Sequence, residues 1–187
     1  MNRVARAGLA IALAGLAASA ANAQTPSDAN ARGDSFVAAN DYGQALAWYR
    51  YSAARGNAPA QVEVAYFYQH GLGGPQDYGE AVHWYRLAAD QGNPIAQNQL
   101  GYMFEHGLGV GQDYDAAARW FALAAAQGWP AAQHNLAWMA SQGRCPTALL
   151  LEARGWMIDA KTARNEGDRP FATAARASLS LRGRLRP

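Results

Sequence analysis

The chain has 187 residues and a formal net charge of +2, with apolar types at half of all positions and charged ones at only 16%. That length suits one domain of roughly 100 to 200 residues, and the apolar share argues against global disorder. A single cysteine, Cys145, excludes a disulfide framework within the chain, so stability has to come from packing.

At the start, Arg3 and Arg6 precede an apolar run from Ala7 to Ala20, followed by the small-x-small triplet Ala21-Asn22-Ala23. The run is shorter than the roughly 20 residues that span a bilayer, so residues 1–23 read as a cleavable export signal of bacterial type. The mature product is then expected to be soluble and either periplasmic or secreted. Residues 24–159 hold 7 Arg and no Lys against 12 Asp plus Glu, whereas residues 160–187 hold 7 Lys plus Arg against Glu166 and Asp168. The basic end can make weak contact with an anionic surface, an attraction that salt screens; a solubilising cap is the plainer reading.

Ala29 to Asn40 supplies an opening helix. From there the chain repeats: Asp41-Tyr42, Asp77-Tyr78 and Asp113-Tyr114 are each 36 residues apart, and blocks 41–76 and 77–112 agree without a gap at half their positions. Ala45, Trp48, Tyr49 and Ser52 fall at i, i+3, i+4 and i+7 and share one helix face. Ala81, Trp84, Tyr85 and Ala88 repeat that stripe, and the third block keeps Ala117, Trp120 and Phe121 in step. A second helix follows in each block, where Val64 and Ala65 correspond to Leu100 and Gly101 and then to Leu136 and Ala137. Small residues there permit close approach of helices. Gly56-Asn57 with Pro59, Gly92-Asn93 with Pro94, and the His-Gly-Leu-Gly stretches stop the helices. A fourth copy keeps only Ala153, Trp156 and Ala160, and helices over Thr147 to Arg164 and Pro170 to Arg182 are placed to close the stack. One such helix pair cannot bury its own apolar face, so neighbours must stack. The predicted architecture is all-α: an α/α superhelix of three to four helix pairs over residues 24–164, with a basic C-terminal capping helix and tail over 165–187.

The run A-Q-x-x-L-G-x-x-x-x-x-G-x-G, seen from Ala96 to Gly109, and D-Y-x-x-A-x-x-W-Y-x-x-A-A-x-x-G, seen from Asp77 to Gly92, resemble the Sel-1-like repeat. The resemblance covers about residues 41 to 142 and extends weakly to 164. It implies a solenoid similar to tetratricopeptide proteins, a role as scaffold for protein complexes and, in bacteria, frequent work in the envelope. In the folds it resembles, the helix carrying Ala96 to His106 lines the concave side. The cysteine pairs of the exported, cysteine-rich members have no counterpart here, so any activity suggested for that subgroup transfers poorly.

Beside the core stripe, that helix carries a second one at i, i+4 and i+7: Val62, Tyr66 and Gln69, then Asn98, Tyr102 and Glu105, then His134, Trp138 and Ser141. Tyr and Trp give large contact area for little lost rotamer entropy, so Tyr66, Tyr102 and Trp138 are read as the ladder of a ligand groove, with packing between units as the competing reading. Gly107, Gly109 and Gly111, like Gly71, Gly73 and Gly74, join helix to helix rather than strand to helix and are read as turns, not phosphate loops. His70 and His106 sit at equivalent helix ends, where an imidazole suits free carbonyls better than a metal. Cys145 precedes Pro146 in a loop, and with His134 it lacks the third group of a nucleophilic triad. No Ser-centred elbow, paired-carboxylate signature or metalloprotease motif appears. The expectation is an exported, non-enzymatic scaffold that binds a protein or peptide partner, or a cell-wall glycan. It takes no cofactor, metal or nucleic acid. The alternative, a hydrolase of cell-wall or β-lactam-like substrates, comes only from exported relatives of the repeat.

Overall fold

The computed structural model describes residues 25–149. The export signal, the fourth-copy residues and the basic capping helix lie outside the described residues. Seven α-helices run in order among those described: α1 (Pro26–Ala38), α2 (Tyr42–Ala53), α3 (Ala58–His70), α4 (Tyr78–Asp90), α5 (Pro94–His106), α6 (Tyr114–Ala126) and α7 (Pro130–Ser141), followed by a 3-10 turn at Thr147–Leu149.

Side-chain caps set where these helices begin. Asp41, Asp77 and Asp113 each accept the backbone N–H three residues on, from Gln44 at 3.1 Å, Glu80 at 3.0 Å and Ala116 at 2.8 Å. The 36-residue recurrence of Asp-Tyr is therefore a recurrence of helix starts, each cap being worth about 1 kcal/mol. Asn57 and Asn93 do the same for α3 and α5, taking the N–H of Ala60 at 2.9 Å and of Ala96 at 3.1 Å. Trp129 holds the corresponding place before α7 and makes no side-chain cap, which leaves that start to Pro130.

Glutamine amides fix both kinds of turn. The Gln61 amide nitrogen donates to the Ala53 carbonyl at 3.2 Å, and its oxygen accepts from Gln91 at 2.7 Å. One copy later Gln97 accepts from Gln127 at 2.8 Å, and two copies later Gln133 donates to the Ala125 carbonyl at 3.3 Å. After α3 the amide of Gln76 closes on the Gln69 carbonyl at 2.7 Å, and after α5 that of Gln112 closes on Glu105 at 2.8 Å. Inside these longer turns Gly73 and Gly109 take φ of +72° and +69°, and a Cβ on either would run into the carbonyl of Tyr42 or Tyr78. The turn between α1 and α2 lacks that glycine insertion, and Asn40 at φ 60° takes the left-handed position.

The described residues divide into two compact units, 25–96 with 108–110 and 97–107 with 111–149. In the first, α1 packs on α2, α2 on α3 and α3 on α4. Its core gathers Ala45, Tyr49, Ala53, Ala60, Val64 and Phe67, with the Tyr49 and Phe67 rings edge to face at 5.4 Å. In the second, Ala117, Phe121, Ala124, Ala132, Leu136 and Met139 form the core. Here α5 lies so close to α6 that a Cβ on Gly101 would come within 2.7 Å of the Phe121 ring, which is the close approach expected of the small residues.

Of the predicted core set, Ala45, Tyr49, Ala81, Tyr85, Leu100, Gly101, Ala117, Phe121 and Leu136 are buried. The tryptophans divide: Trp48 is 2% exposed, whereas Trp84 and Trp120 are only half-buried. The indole N–H of Trp84 donates to Glu80 on its own helix at 3.1 Å, which keeps that ring at the rim of the core.

Candidate ligand-binding face

The second unit brings residues of α5 and α7 together. The Asn135 amide donates to the Asn98 side-chain oxygen at 2.9 Å, joining the two helices near their first turns. Farther along, Tyr102 on α5 and Trp138 on α7 stay 39% and 44% exposed, a large share for such rings. His106 stacks on Tyr102 with ring centroids 4.1 Å apart, and its Nδ1 donates to the Tyr102 carbonyl at 3.0 Å. Past the end of α7, the Arg144 guanidinium lies 5.6 Å from the centre of the Trp138 ring and 4.9 Å from that of Tyr114.

Glu105, beside His106 in the last turn of α5, is 7% exposed. Burial pushes its carboxyl above the usual range, and the charges of His106 and Arg144 only partly oppose that. Nδ1 of His106 lies 4.0 Å from its Oε2, too far for a hydrogen bond. With the folded value above the unfolded one, stability from the neutral acid is present below the unfolded value and lost as pH rises through the folded value. Melting curves between about pH 4.5 and about pH 7 should therefore show Glu105→Gln more stable than the parent at neutrality, with the gap shrinking on acidification. A gap independent of pH would refute this.

The other predicted groove residues fall differently. Val62 and Tyr66 are half-buried in the first unit, Tyr66 packing on His70 with centroids 4.2 Å apart. Gln69 is a correction: it faces inward, and its amide oxygen accepts the Tyr85 hydroxyl at 2.8 Å, so it is committed to the core. Asn98 is likewise buried, while His134 is half-buried one turn before Trp138. Cys145 packs against the second core, and burial, then Asp115, raises its thiol further from the reactive thiolate. Arg144 carries no signal in the sequence, because it stands in a turn outside the 36-residue register.

Helical hairpins repeated at a fixed period, with a face of polar and aromatic side chains, define an all-α repeat protein of the solenoid class. The Sel1 repeat family model matches residues 28–57, 58–93, 94–129 and 130–158, well over half of the chain, and the chain belongs to that family. Those boundaries open the last three copies at the helix bearing the Ala-Gln pair, and they add a first copy built from α1 and α2, where Ala29-Asn30 stands in its place. Among solved structures, the chain is similar to a Sel1 repeat protein from Oxalobacter formigenes, at 30% identity and a TM-score of 0.61 over 64% of this chain and 49% of that one. It is also similar to a protective antigen of uropathogenic Escherichia coli displaying an SLR fold, at 31% identity and a TM-score of 0.68 over 73% of this chain and 30% of that one. The chain thus spans half or less of the length of both. No curated protein matches it. Sel1 repeats are generally protein-interaction scaffolds, and the fold is typically non-catalytic. No helix among the described residues is long and apolar enough to cross a membrane.

Proposed function

We propose that this chain is an exported scaffold that holds a partner protein by an extended segment laid against the α5 and α7 face of the second unit. The observation carrying the reading is the exposure of two large rings, Tyr102 and Trp138, beside the Asn98–Asn135 hydrogen bond. Rings of this kind are the usual anchors of binding energy. Export is supported by the basic start, the apolar run and the Ala21-Asn22-Ala23 triplet.

The test is retention of envelope proteins on immobilised mature chain, compared with Tyr102→Ala/Trp138→Ala. Both side chains are exposed, so the melting temperature should move little while the retained partner is lost. Equal retention by parent and variant would refute the face, and selective retention of cell-wall fragments would replace the peptide by a glycan. Mass spectrometry of the exported protein should find its first residue at Gln24; an unprocessed N-terminus would remove the export reading.

A further inference from the structure

Resting on that reading, we infer that the α5 and α7 face receives a basic side chain of the partner, a lysine or arginine, with Glu105 as the accepting carboxylate and Tyr102 and Trp138 as flanking walls.

The starting point is a break in the repeat. One copy earlier, Gln69 occupies this register and its buried amide is satisfied by the hydroxyl of Tyr85 at 2.8 Å. Thirty-six residues on, both partners change together: Gln69 corresponds to Glu105, and Tyr85 to Phe121, which has no hydroxyl to give. Glu105 nonetheless stays buried, and among the described residues its carboxylate accepts no hydrogen bond. A carboxylate so largely covered, with no donor among the described residues, is costly, and the Gln69–Tyr85 pair shows that an amide and a phenol fit this register.

What surrounds Glu105 suits a cation. It lies in the last turn of α5, where the backbone carbonyls favour positive charge. Tyr102 and Trp138, each partly exposed, can lie along the apolar stem of a long basic side chain and attract its charged head. The chain's own Arg144 already shows the preference: its guanidinium lies over Trp138, its charge is felt by Glu105, and it is exposed on the turn after α7, from which it can yield. His106 stands 4.0 Å from the Glu105 carboxylate and favours its charge, but its Nδ1 is turned to the Tyr102 carbonyl and makes no hydrogen bond to that carboxylate.

The probe is the peptide acetyl-Gly-Arg-Gly-Arg-Gly-amide, titrated into the mature chain and followed by the Trp138 indole N–H in NMR. Saturable shifts are expected, with affinity at least tenfold lower for the citrulline counterpart, which keeps the shape and loses the charge. Glu105→Gln should weaken the arginine peptide to the same extent. So should Glu105→Gln/Phe121→Tyr, which rebuilds the Gln69–Tyr85 pair and is expected to melt no lower than the parent. No saturable shift, equal affinity for arginine and citrulline, or an unaffected Glu105→Gln protein would each overturn the inference. Envelope retention separates the two readings. If Trp138→Ala loses the partner while Glu105→Gln keeps it, the cation site is wrong and the scaffold face stands; if neither variant changes retention, both fall.

Discussion

Gly109→Ala is expected to destabilise the chain by on the order of 3 kcal/mol, because a left-handed backbone and a steric block coincide at one residue. Gly109 has φ of +69°, and its missing Cβ would point into the carbonyl of Tyr78 at the start of α4. A carbonyl already fixed in a helix cannot rotate aside as a side chain can, so either the turn or the helix start must shift. The neighbouring Gly111 is the control, since a Cβ there meets nothing within 4 Å and its φ is not in the left-handed region. Gly111→Ala should be neutral or slightly stabilising, because it restricts the unfolded chain. Urea unfolding of the two variants checks this, and equal midpoints would contradict the close approach of turn and helix.

Phe121→Ala should cost more still, about 3 to 5 kcal/mol, the range for emptying a buried aromatic site. Phe121 is fully buried, and on one side it meets Gly101, which has no side chain to move into the void. Collapse around the cavity is therefore limited, which places the loss in the upper part of that range. A fall in melting temperature of roughly 6 to 20 °C is expected for a chain of this size. A drop of only a degree or two would mean that α5 and α6 are held apart from each other by something other than this ring.

Much of the architecture is legible in the sequence because it depends on features that repeat. The Asp-Tyr recurrence marks helix starts since aspartate caps them, and the Gly-x-Gly recurrence marks turns that press on a preceding helix. Periodicity also separates Tyr49, Tyr85 and Phe121 as core rings. It over-reads the tryptophans: at i−1 from those rings, Trp84 and Trp120 sit on the flank of the stripe, where only the environment of Trp48 closes over. The ligand face is harder to read. Gln69 and Glu105 occupy the same register, yet one is answered by a phenol sixteen residues away and the other is not. Spacing locates such a pair but does not say which members touch. Arg144, outside the register, carries no periodic signal at all.

The glutamines that clip each turn to its helices bear on the conditions such a body withstands. Gln61, Gln91, Gln97 and Gln127 link through neutral amides, so dissolved ions have no charge there to shield and acid has no proton to add. These amide joints therefore depend little on salt or on mild acidity.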